Sequence, residues 1–179
     1  MYFELKTERL QLRPVTINDA EATFAYSRDT DLTRYMMFYP KDSMEEVCSF
    51  LEECETEWKK DAPAFLEFAV LYDHVLIGSV SLWILNDDRT EGELGWMLRR
   101  EYQGKGFALE ASRALCDFAF NTLGLSRLIA QCDARNTPSA KLMEKLGMEL
   151  VDDTGMRTYI KRPETARELT YRLLNPNKA

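Results

Sequence analysis

The segment Gln103-Gly104-Lys105-Gly106-Phe107-Ala108 has residue types and spacing suited to binding an anionic ligand. Its two glycines allow tight backbone turns and the close approach of a ligand. The segment lies between a predicted strand and a predicted helix, so unpaired N–H groups at the helix start would face a bound anion. Arg99, Arg100 and Lys105 add positive charge nearby. A pyrophosphate site and a plain strand-to-helix turn both fit this segment when it is taken alone.

Two common phosphate-binding fingerprints do not match here. A P-loop requires the pattern G-x-x-x-x-G-K-[ST], which this segment lacks. A dinucleotide-binding fingerprint requires a third glycine at the position where Leu109 stands. The pattern therefore disfavours a nucleotide-binding regulator.

The elements before the glycine segment are predicted from caps and periodicity. Residues 8–15 alternate as a strand, and Asn18 or Asp19 is expected to cap a short helix over about 18–28. Ser43 and Glu46 form a capping-box pattern that starts a second helix. Apolar residues then recur every second position, which predicts three consecutive antiparallel strands that end with 92–98.

The elements after the glycine segment predict one parallel strand pair. A helix over 106–123 with Gly124 as its C-cap joins strand 92–98 to strand 127–134, and a helix crossover favours parallel pairing. A helix Thr137–Leu146 and strands near 155–161 and 167–174 follow. We therefore expect an α/β (α+β) fold, a mixed and mostly antiparallel central sheet flanked by helices, in a single domain over 1–179.

Three patterns taken together carry a family resemblance. They are Glu93-Leu-Gly-Trp-Met-Leu with Tyr102-Gln-Gly-Lys-Gly-Phe-Ala-Leu-Glu-Ala111, then Asn136-Thr-Pro-Ser139 with Glu-Lys-Leu-Gly147, and the opening Thr7-Glu-Arg-Leu-Gln-Leu-Arg13-Pro. The first meets the pattern [Q/R]-x-x-G-x-[G/A] through Gln103, Gly106 and Ala108. The chain resembles the GCN5-related N-acetyltransferase (GNAT) superfamily over about 7–174, and its opening is similar to the RimJ/RimL type.

This resemblance implies acetyl-CoA as co-substrate, bound where strands 92–98 and 127–134 splay apart. The backbone of Met97 and Leu98 would pair with the pantetheine arm. The loop 103–108 would hold the pyrophosphate through its N–H groups, with the residues Gln103, Gly104, Lys105, Gly106, Phe107 and Ala108. Asn136 would reach the pantetheine or the reacting amine, and it equally fits the role of an N-cap for the following helix.

The resemblance also implies acetyl transfer to a primary amine, and the chemistry suggests candidates for each step. Many relatives protonate the departing thiolate with a tyrosine, but Met143 stands at that position, so Ser139 one turn earlier is the candidate donor. Glu93 is the candidate base, acting through a water, with an ordinary strand glutamate as the other interpretation. The N–H of Leu98 would stabilise the oxyanion. We expect direct transfer in a ternary complex with no acyl-enzyme.

Composition limits the compartment and the partners. The net charge of −7 argues against general nucleic-acid binding and suits a cationic acceptor. A lone histidine, His74, and four scattered cysteines make a metal site unexpected, and the cysteines are expected to be buried free thiols. No apolar run is long enough for a membrane helix, so we expect a cytoplasmic protein.

Three questions stay open at this level. The acceptor is either a protein N-terminus or a small cationic amine such as a polyamine. Its pocket is expected from residues 28–42 and the 86–92 turn, where the cluster Tyr35, Met36, Met37, Phe38 and Tyr39 fits either the pocket or the core. A homodimer is possible, and a non-catalytic acyl-CoA sensor is the alternative function, favoured only by Met143.

Overall fold

An eight-stranded sheet organises residues 3–38 and 40–178, the part of the chain that the computed structural model describes. Its strands are β1 Leu5–Lys6, β2 Leu10–Pro14, β3 Phe65–Tyr72, β4 Val75–Ile84, β5 Glu91–Leu98, β6 Arg127–Asp133, β7 Glu149–Tyr159 and β8 Arg162–Leu174. They lie in the order β1-β2-β3-β4-β5-β6-β8-β7. Four α-helices accompany them in these residues: α1 Ala20–Ser27, α2 Met44–Trp58, α3 Phe107–Asn121 and α4 Thr137–Lys145.

The helix starts follow the capping residues. The Ser43 hydroxyl accepts the N–H of Glu46 at 3.2 Å, which confirms the predicted start of α2. Asp19, one of the two residues predicted to cap α1, is its N-cap, but it makes no side-chain capping bond there. Its carboxylate instead accepts the Thr16 N–H at 2.8 Å in the 3₁₀ turn that precedes α1. Asp19 is therefore both the third residue of the 3₁₀ turn, where it forms a capping box with Thr16, and the N-cap of α1.

The parallel pair β5 and β6 separates partway along its length. Their register runs from Glu91 opposite Arg127 to Glu93 opposite Ile129 and stops there. On the outer sides, β5 stays paired with β4 up to Leu98, and β6 stays paired with β8 up to Asp133. The predicted mixed, mostly antiparallel sheet with a splayed parallel pair is confirmed, and the gap between the two strands lies inside the sheet.

Helices cover both faces of this sheet. On one face α3 packs through Ala111 and Leu115 against fully buried strand residues such as Phe68 and Leu128. On the other face α1 and α2 pack against the side chains that alternate with these. Within the described residues, no helix has the length and apolar character needed to cross a lipid bilayer.

The edges of the fold differ from the sequence prediction. β7 begins at Glu149 rather than near 155, and β8 begins at Arg162 rather than near 167. β7 lies at the sheet edge with mostly exposed side chains, so its residues carry little apolar alternation to detect. α3 ends at Asn121, so Gly124, with φ of 71°, lies in the turn beyond the cap rather than at it.

Gly78 is a position on β4 where an added side chain would meet the main chain of β5. Its φ is +152°, and a Cβ there would lie 2.1 Å from the carbonyl oxygen of Met97. We expect Gly78→Ala to lower the free energy of unfolding by about 2 kcal/mol or more, because the costs of the backbone strain and of the clash with the main chain of β5 add together. Urea unfolding measures this, with Gly147→Ala as the matched control. Gly147 has φ of +83° and nothing within 4 Å of the added carbon, so its loss should be about 1 kcal/mol. Equal losses at the two glycines would contradict the steric explanation.

Candidate active site

The glycine segment forms an open helix start. Gly104 and Gly106 have φ of 73° and 84°, in the left-handed region that favours glycine. α3 then begins at Phe107 with Gly106 as its N-cap and no side-chain cap. Among the described residues, the backbone N–H groups of 104–109 have no hydrogen-bond partner. This arrangement offers several aligned donors and the positive end of the helix dipole to an anion.

Arg9, which the sequence reasoning did not single out, contacts this segment from the turn between β1 and β2. Its guanidinium donates to the carbonyl oxygen of Lys105 at 3.1 Å and lies 4.5 Å from the ring centroid of Phe107. It also donates to Glu110 at 2.7 Å, so Glu110 connects α3 to the opening of the chain. The resemblance at residues 7–14 contained this arginine, and only the fold shows that it contacts the glycine segment.

The predicted cationic side chains around the segment are partly occupied. Arg100 donates two hydrogen bonds of 2.7 Å to Asp29, so it ties the segment to the loop after α1. Arg99 forms an ion pair of 2.7 Å with Glu101. The Lys105 ammonium lies 5.4 Å from the ring centroid of Tyr102 at an exposed position beside the open N–H groups.

The hydrogen-bond pattern between β5 and β4 determines which peptide groups of β5 face the gap. The N–H of Arg99 donates to Ile77 at 2.8 Å and the N–H of Leu85 donates to Glu91 at 3.0 Å. Antiparallel pairs alternate between bonded and non-bonded partners, so the odd-numbered peptide groups of β5 face β4. The peptide groups of Trp96 and Leu98 therefore point toward β6, across the gap. The Leu98 carbonyl accepts the Gln103 side-chain amide at 2.9 Å, which leaves its N–H for a ligand.

Met97 differs from its predicted role. Its peptide groups bond toward Ser79 of β4 by the same alternation, so they do not face the gap. Its side chain is buried and lines the cavity on the α1/α2 face of the sheet. Strand parity, which the sequence alone left undetermined, turns the peptide groups of Trp96 and Leu98 toward the gap and those of Met97 toward β4.

The start of α4 lies across the gap from β5. The Asn136 side-chain oxygen accepts the N–H of Ser139 at 3.3 Å, so Asn136 is the N-cap of α4. The Ser139 hydroxyl accepts a hydrogen bond from the indole N–H of Trp96 at 3.0 Å. Met143, one turn further, is fully buried in the core. Ser139 thus keeps its own O–H as a donor, and Met143 offers no group for proton transfer.

A cavity of about 890 Å³ on the α1/α2 face brings the candidate groups together. Glu93, Asn136 and Ser139 all line it, together with the backbone region 94–97 of β5. Its walls come from α2 and from Tyr35, Met36, Met37 and Phe38 of the loop before α2. That part of the predicted aromatic cluster lines the cavity, Tyr39 lies outside the described residues, and the 86–92 turn does not contribute.

Glu93 lies on the cavity floor in an environment that raises its pKa. Burial raises the pKa of the Glu93 carboxyl, the nearby Glu168 raises it further, and Arg157 opposes both. Arg157 itself is buried and donates to Glu168 at 2.7 Å, so its charge is largely compensated. A carboxylate whose pKa is raised toward neutrality is a stronger base than an exposed one.

Glu67 is a second cavity carboxyl, which the sequence reasoning missed. It lies between the core residues Leu66 and Phe68 of β3, on the opposite face, and only 7% of it is exposed. Burial raises its pKa to about 7, while a hydrogen bond with the Ser79 hydroxyl acts in the other direction. The sequence signal for Glu67 was a charged residue between two apolar strand residues. That signal was not specific, because an ordinary half-exposed strand shows the same pattern.

Comparisons with known proteins agree with this geometry. A family model described as an acetyltransferase (GNAT) domain matches residues 9–149. The chain is similar to the uncharacterized N-acetyltransferase p20 of Bacillus licheniformis, with 30% identity over 145 residues, 81% of this chain and 82% of that protein. It is 24% identical over 141 residues to the spermidine N(1)-acetyltransferase of Escherichia coli K12. The matched region is 79% of this chain and 73% of that protein. The fold is similar to that of RimL, a ribosomal L7/L12 alpha-N-protein acetyltransferase in complex with coenzyme A, with a TM-score of 0.86, 14% identity and coverage of 96% and 98%.

The glycine segment gives a direct binding test. A Cβ on Gly106 would lie 3.4 Å from the Arg9 guanidinium at a φ of +84°, so Gly106→Ala should displace the open N–H groups. We expect it to weaken acetyl-CoA binding about tenfold or more, measured by calorimetry. Gly124→Ala is the matched control, because it has φ of +71° at the far end of α3 and should keep the affinity. Equal affinities of the two variants for acetyl-CoA would show that the glycine segment is not part of the binding site.

Proposed function

Because this chain belongs to the acetyltransferase (GNAT) family and its relatives are consistent with the RimJ/RimL-like branch, we propose that it transfers the acetyl group of acetyl-CoA to the primary amine of a small cationic molecule. The family assignment makes it an acetyl-CoA-dependent N-acetyltransferase; the acceptor is the proposal. The observation that carries it is the cavity in which Glu93 and Ser139 border the unpaired backbone of β5. In this proposal residues 1–179 act as one acetyltransferase domain.

The cofactor would enter from the α3 side of the gap. The open N–H groups of 104–109 would hold its pyrophosphate, with Lys105 adding charge. The pantetheine would continue the sheet between β5 and β6, hydrogen-bonded to the peptide groups of Trp96 and Leu98. Asn136, whose side-chain oxygen caps α4, has its amide N–H groups left for the pantetheine or the amine.

Glu93 supplies the base in this mechanism. An aliphatic amine has a pKa near 10, so it arrives protonated and must lose a proton before it attacks the thioester carbon. Glu93 accepts that proton directly or through a water, and its raised pKa favours this at neutral pH. The attack forms a tetrahedral oxyanion, and an N–H group of β5 that faces the gap and is not bonded to the pantetheine is a donor suited to it.

Ser139 serves the departing thiolate. Its oxygen already accepts the indole N–H of Trp96, so its own O–H remains to donate toward the sulfur. Donation from Trp96 polarises the hydroxyl and makes it a better donor. Ser139 therefore replaces the tyrosine of many relatives, whose position is occupied by the buried Met143.

The thiols of the cavity support direct transfer rather than an acyl-enzyme. Burial raises the pKa of the Cys132 thiol to about 11, and burial also raises the pKa of Cys54 well above its ordinary value. Both thiols line the cavity as neutral groups, which are weak nucleophiles. The amine itself is then the nucleophile in a ternary complex.

The charge of the cavity favours a cationic acceptor. Its lining includes Glu53, Glu67 and Glu93, none of which forms an ion pair within residues 3–38 and 40–178. The two cations of the lining have carboxylate partners, since Lys41 pairs with Glu46 at 3.6 Å and Arg157 pairs with Glu168. A surplus of unpaired carboxylates attracts ammonium groups and raises their local concentration.

The function is tested by adding acetyl-CoA and a panel of amines to the purified protein and following release of the CoA thiol. The panel contains alkylamines, diamines and a short peptide with a free N-terminus. Release with small cationic amines supports the proposal. If the peptide were the only amine of the panel to give CoA release, the acceptor would be a protein N-terminus and the proposed small cationic acceptor would be wrong.

Glu93→Gln tests the base. We expect kcat to fall about 100-fold or more at neutral pH, because general base catalysis is typically worth that much. The residual rate of the variant should rise with pH as the amine loses its proton in solution. The kcat values of the variant and of the wild type should therefore approach each other at high pH. Glu91→Gln is the control, since it removes a carboxylate two residues earlier on β5 that pairs with Arg127 outside the cavity. A parallel, pH-independent loss in Glu93→Gln would argue for a structural role instead.

The pair Trp96 and Ser139 is tested by a double-mutant cycle. Trp96→Phe should lower kcat about fivefold, the equivalent of one hydrogen bond, and Ser139→Ala should lower it about tenfold or more. The double variant should be no slower than Ser139→Ala, because Trp96 acts through the serine. Affinity for CoA, measured by calorimetry, should stay within about twofold. Multiplicative losses would show that the two residues act independently.

A further inference from the structure

Glu67 lies in the cavity at a distance from the candidate base. By strand register its neighbour on β4 is Ser81, and the neighbour of Ser81 on β5 is Gly95. Glu67 is therefore two strands from the gap, which corresponds to about 10 Å at ordinary strand spacing. The proposed mechanism uses Glu93, on β5 at one end of the cavity floor, and gives Glu67 no role.

The carboxyl of Glu67 is buried without a compensating cation. Its polar neighbours are hydroxyls: Ser79 forms a hydrogen bond with it, and Tyr26 of α1 shares the same hydroxyl. Within the described residues, no lysine or arginine forms an ion pair with it. Burying an unpaired carboxyl is unfavourable unless a ligand supplies the missing charge.

The groups packed around Glu67 do not supply charge of the right sign. Burial raises the pKa of Tyr26 on α1 to about 12, and the pKa of Cys54 on α2 is also raised, so both are neutral at pH 7. Glu53 of α2 is a carboxylate on the same wall, and Lys41 before α2 pairs with Glu46. β4 and β5 contribute Ser79, Ser81 and Met97, which carry no charge.

The floor between the two carboxyls is suited to an apolar spacer. The row beside Glu67 consists of Phe65, Trp83 and Glu93 on β3, β4 and β5. The rings of Phe65 and Trp83 lie 4.0 Å apart between centroids and leave 48% of Trp83 exposed. Gly95 keeps the path flat, since a Cβ there would lie 2.4 Å from the Ser81 hydroxyl.

We propose that Glu67, with Ser79, forms a subsite for a second ammonium group of the acceptor, so that the enzyme selects diamines whose two amino groups are joined by an apolar spacer. This rests on the proposed function, because the reacting amine is taken to lie at Glu93 and the gap. The distal ammonium then lies about two strand spacings away and makes the missing ion pair with Glu67. The methylene groups between the two amines lie along Phe65 and Trp83.

The test compares matched substrates in matched variants. Wild type, Glu67→Gln and Glu45→Gln are assayed with α,ω-diaminoalkanes of increasing length and with n-alkylamines of the same lengths. Glutamine keeps the shape and the hydrogen bond to Ser79 and removes the charge. Glu45 is an exposed carboxylate of α2 outside the cavity, so its variant controls for overall charge.

We expect Glu67→Gln to lower kcat/KM for diamines about 10- to 100-fold, mainly through KM, as for a lost charge-assisted hydrogen bond. The n-alkylamines should change by less than about twofold, and Glu45→Gln should resemble wild type with both. Affinity for acetyl-CoA should be the same in all three proteins.

Proton release gives a readout that a structural role would not produce. A bound ammonium lowers the pKa of Glu67, so calorimetry near pH 7 in buffers of different ionisation enthalpy should show release of a fraction of a proton on diamine binding. Glu67→Gln should lose the part of this release that comes from Glu67, whereas any release from Glu93 on binding of the reacting amine should remain. Equal kcat/KM for diamines and n-alkylamines in wild type, or an equal loss for both in Glu67→Gln, would overturn this inference and leave the proposed function intact. Absence of CoA release with every amine would overturn the proposed function and this inference with it.

Discussion

The separation of β5 from β6 is the constraint on which the rest of the structure depends. Backbone N–H and C=O groups inside a protein require partners, and a sheet normally provides them. Here the peptide groups of Trp96 and Leu98 face a gap instead. Only a ligand with its own amide groups, or water, can complete the ladder at this point. The pantetheine arm of CoA carries two such amides, so in the proposed function this opening would bind it without any dedicated side chain.

An opening of this kind must be held by the elements on its far side. Asp133, at the end of β6, is fully buried and accepts hydrogen bonds from Arg135 and from the Tyr159 hydroxyl of β7. Arg135 also pairs with Glu164 of β8 at 2.7 Å. These contacts fix the end of β6 to the β7–β8 hairpin and away from β5. They also fix the turn that carries Asn136, so the strand separation and the start of α4 are set by the same carboxylate.

The parts of this site that depend on local chemistry were predictable from the sequence. Ser43 with Glu46 indicated the start of α2, and the glycines at 104 and 106 occupy left-handed backbone as their type suggests. The parts that depend on register were not. Met97 and Trp96 are neighbours in sequence, yet parity on β5 turns one peptide toward β4 and the other toward the gap. The indole bond of Trp96 to Ser139 and the contact of Arg9 with Lys105 join residues far apart in the chain, and no local pattern records them.

Two carboxyls on one cavity floor differ in ways that suit different tasks. Glu93 lies beside an arginine–glutamate pair at the edge of the gap, where in the proposed function it would exchange a proton with the reacting amine. Glu67 is enclosed by the hydroxyl of Ser79 and by neutral groups, so any proton it holds is far from the thioester. A base must release its proton again in every cycle and needs a path to solvent, whereas a recognition group needs only to be deprotonated while the ligand is bound. In the two proposals, the same residue type therefore serves chemistry at β5 and recognition at β3, and the distinction comes from the position of each strand relative to the gap.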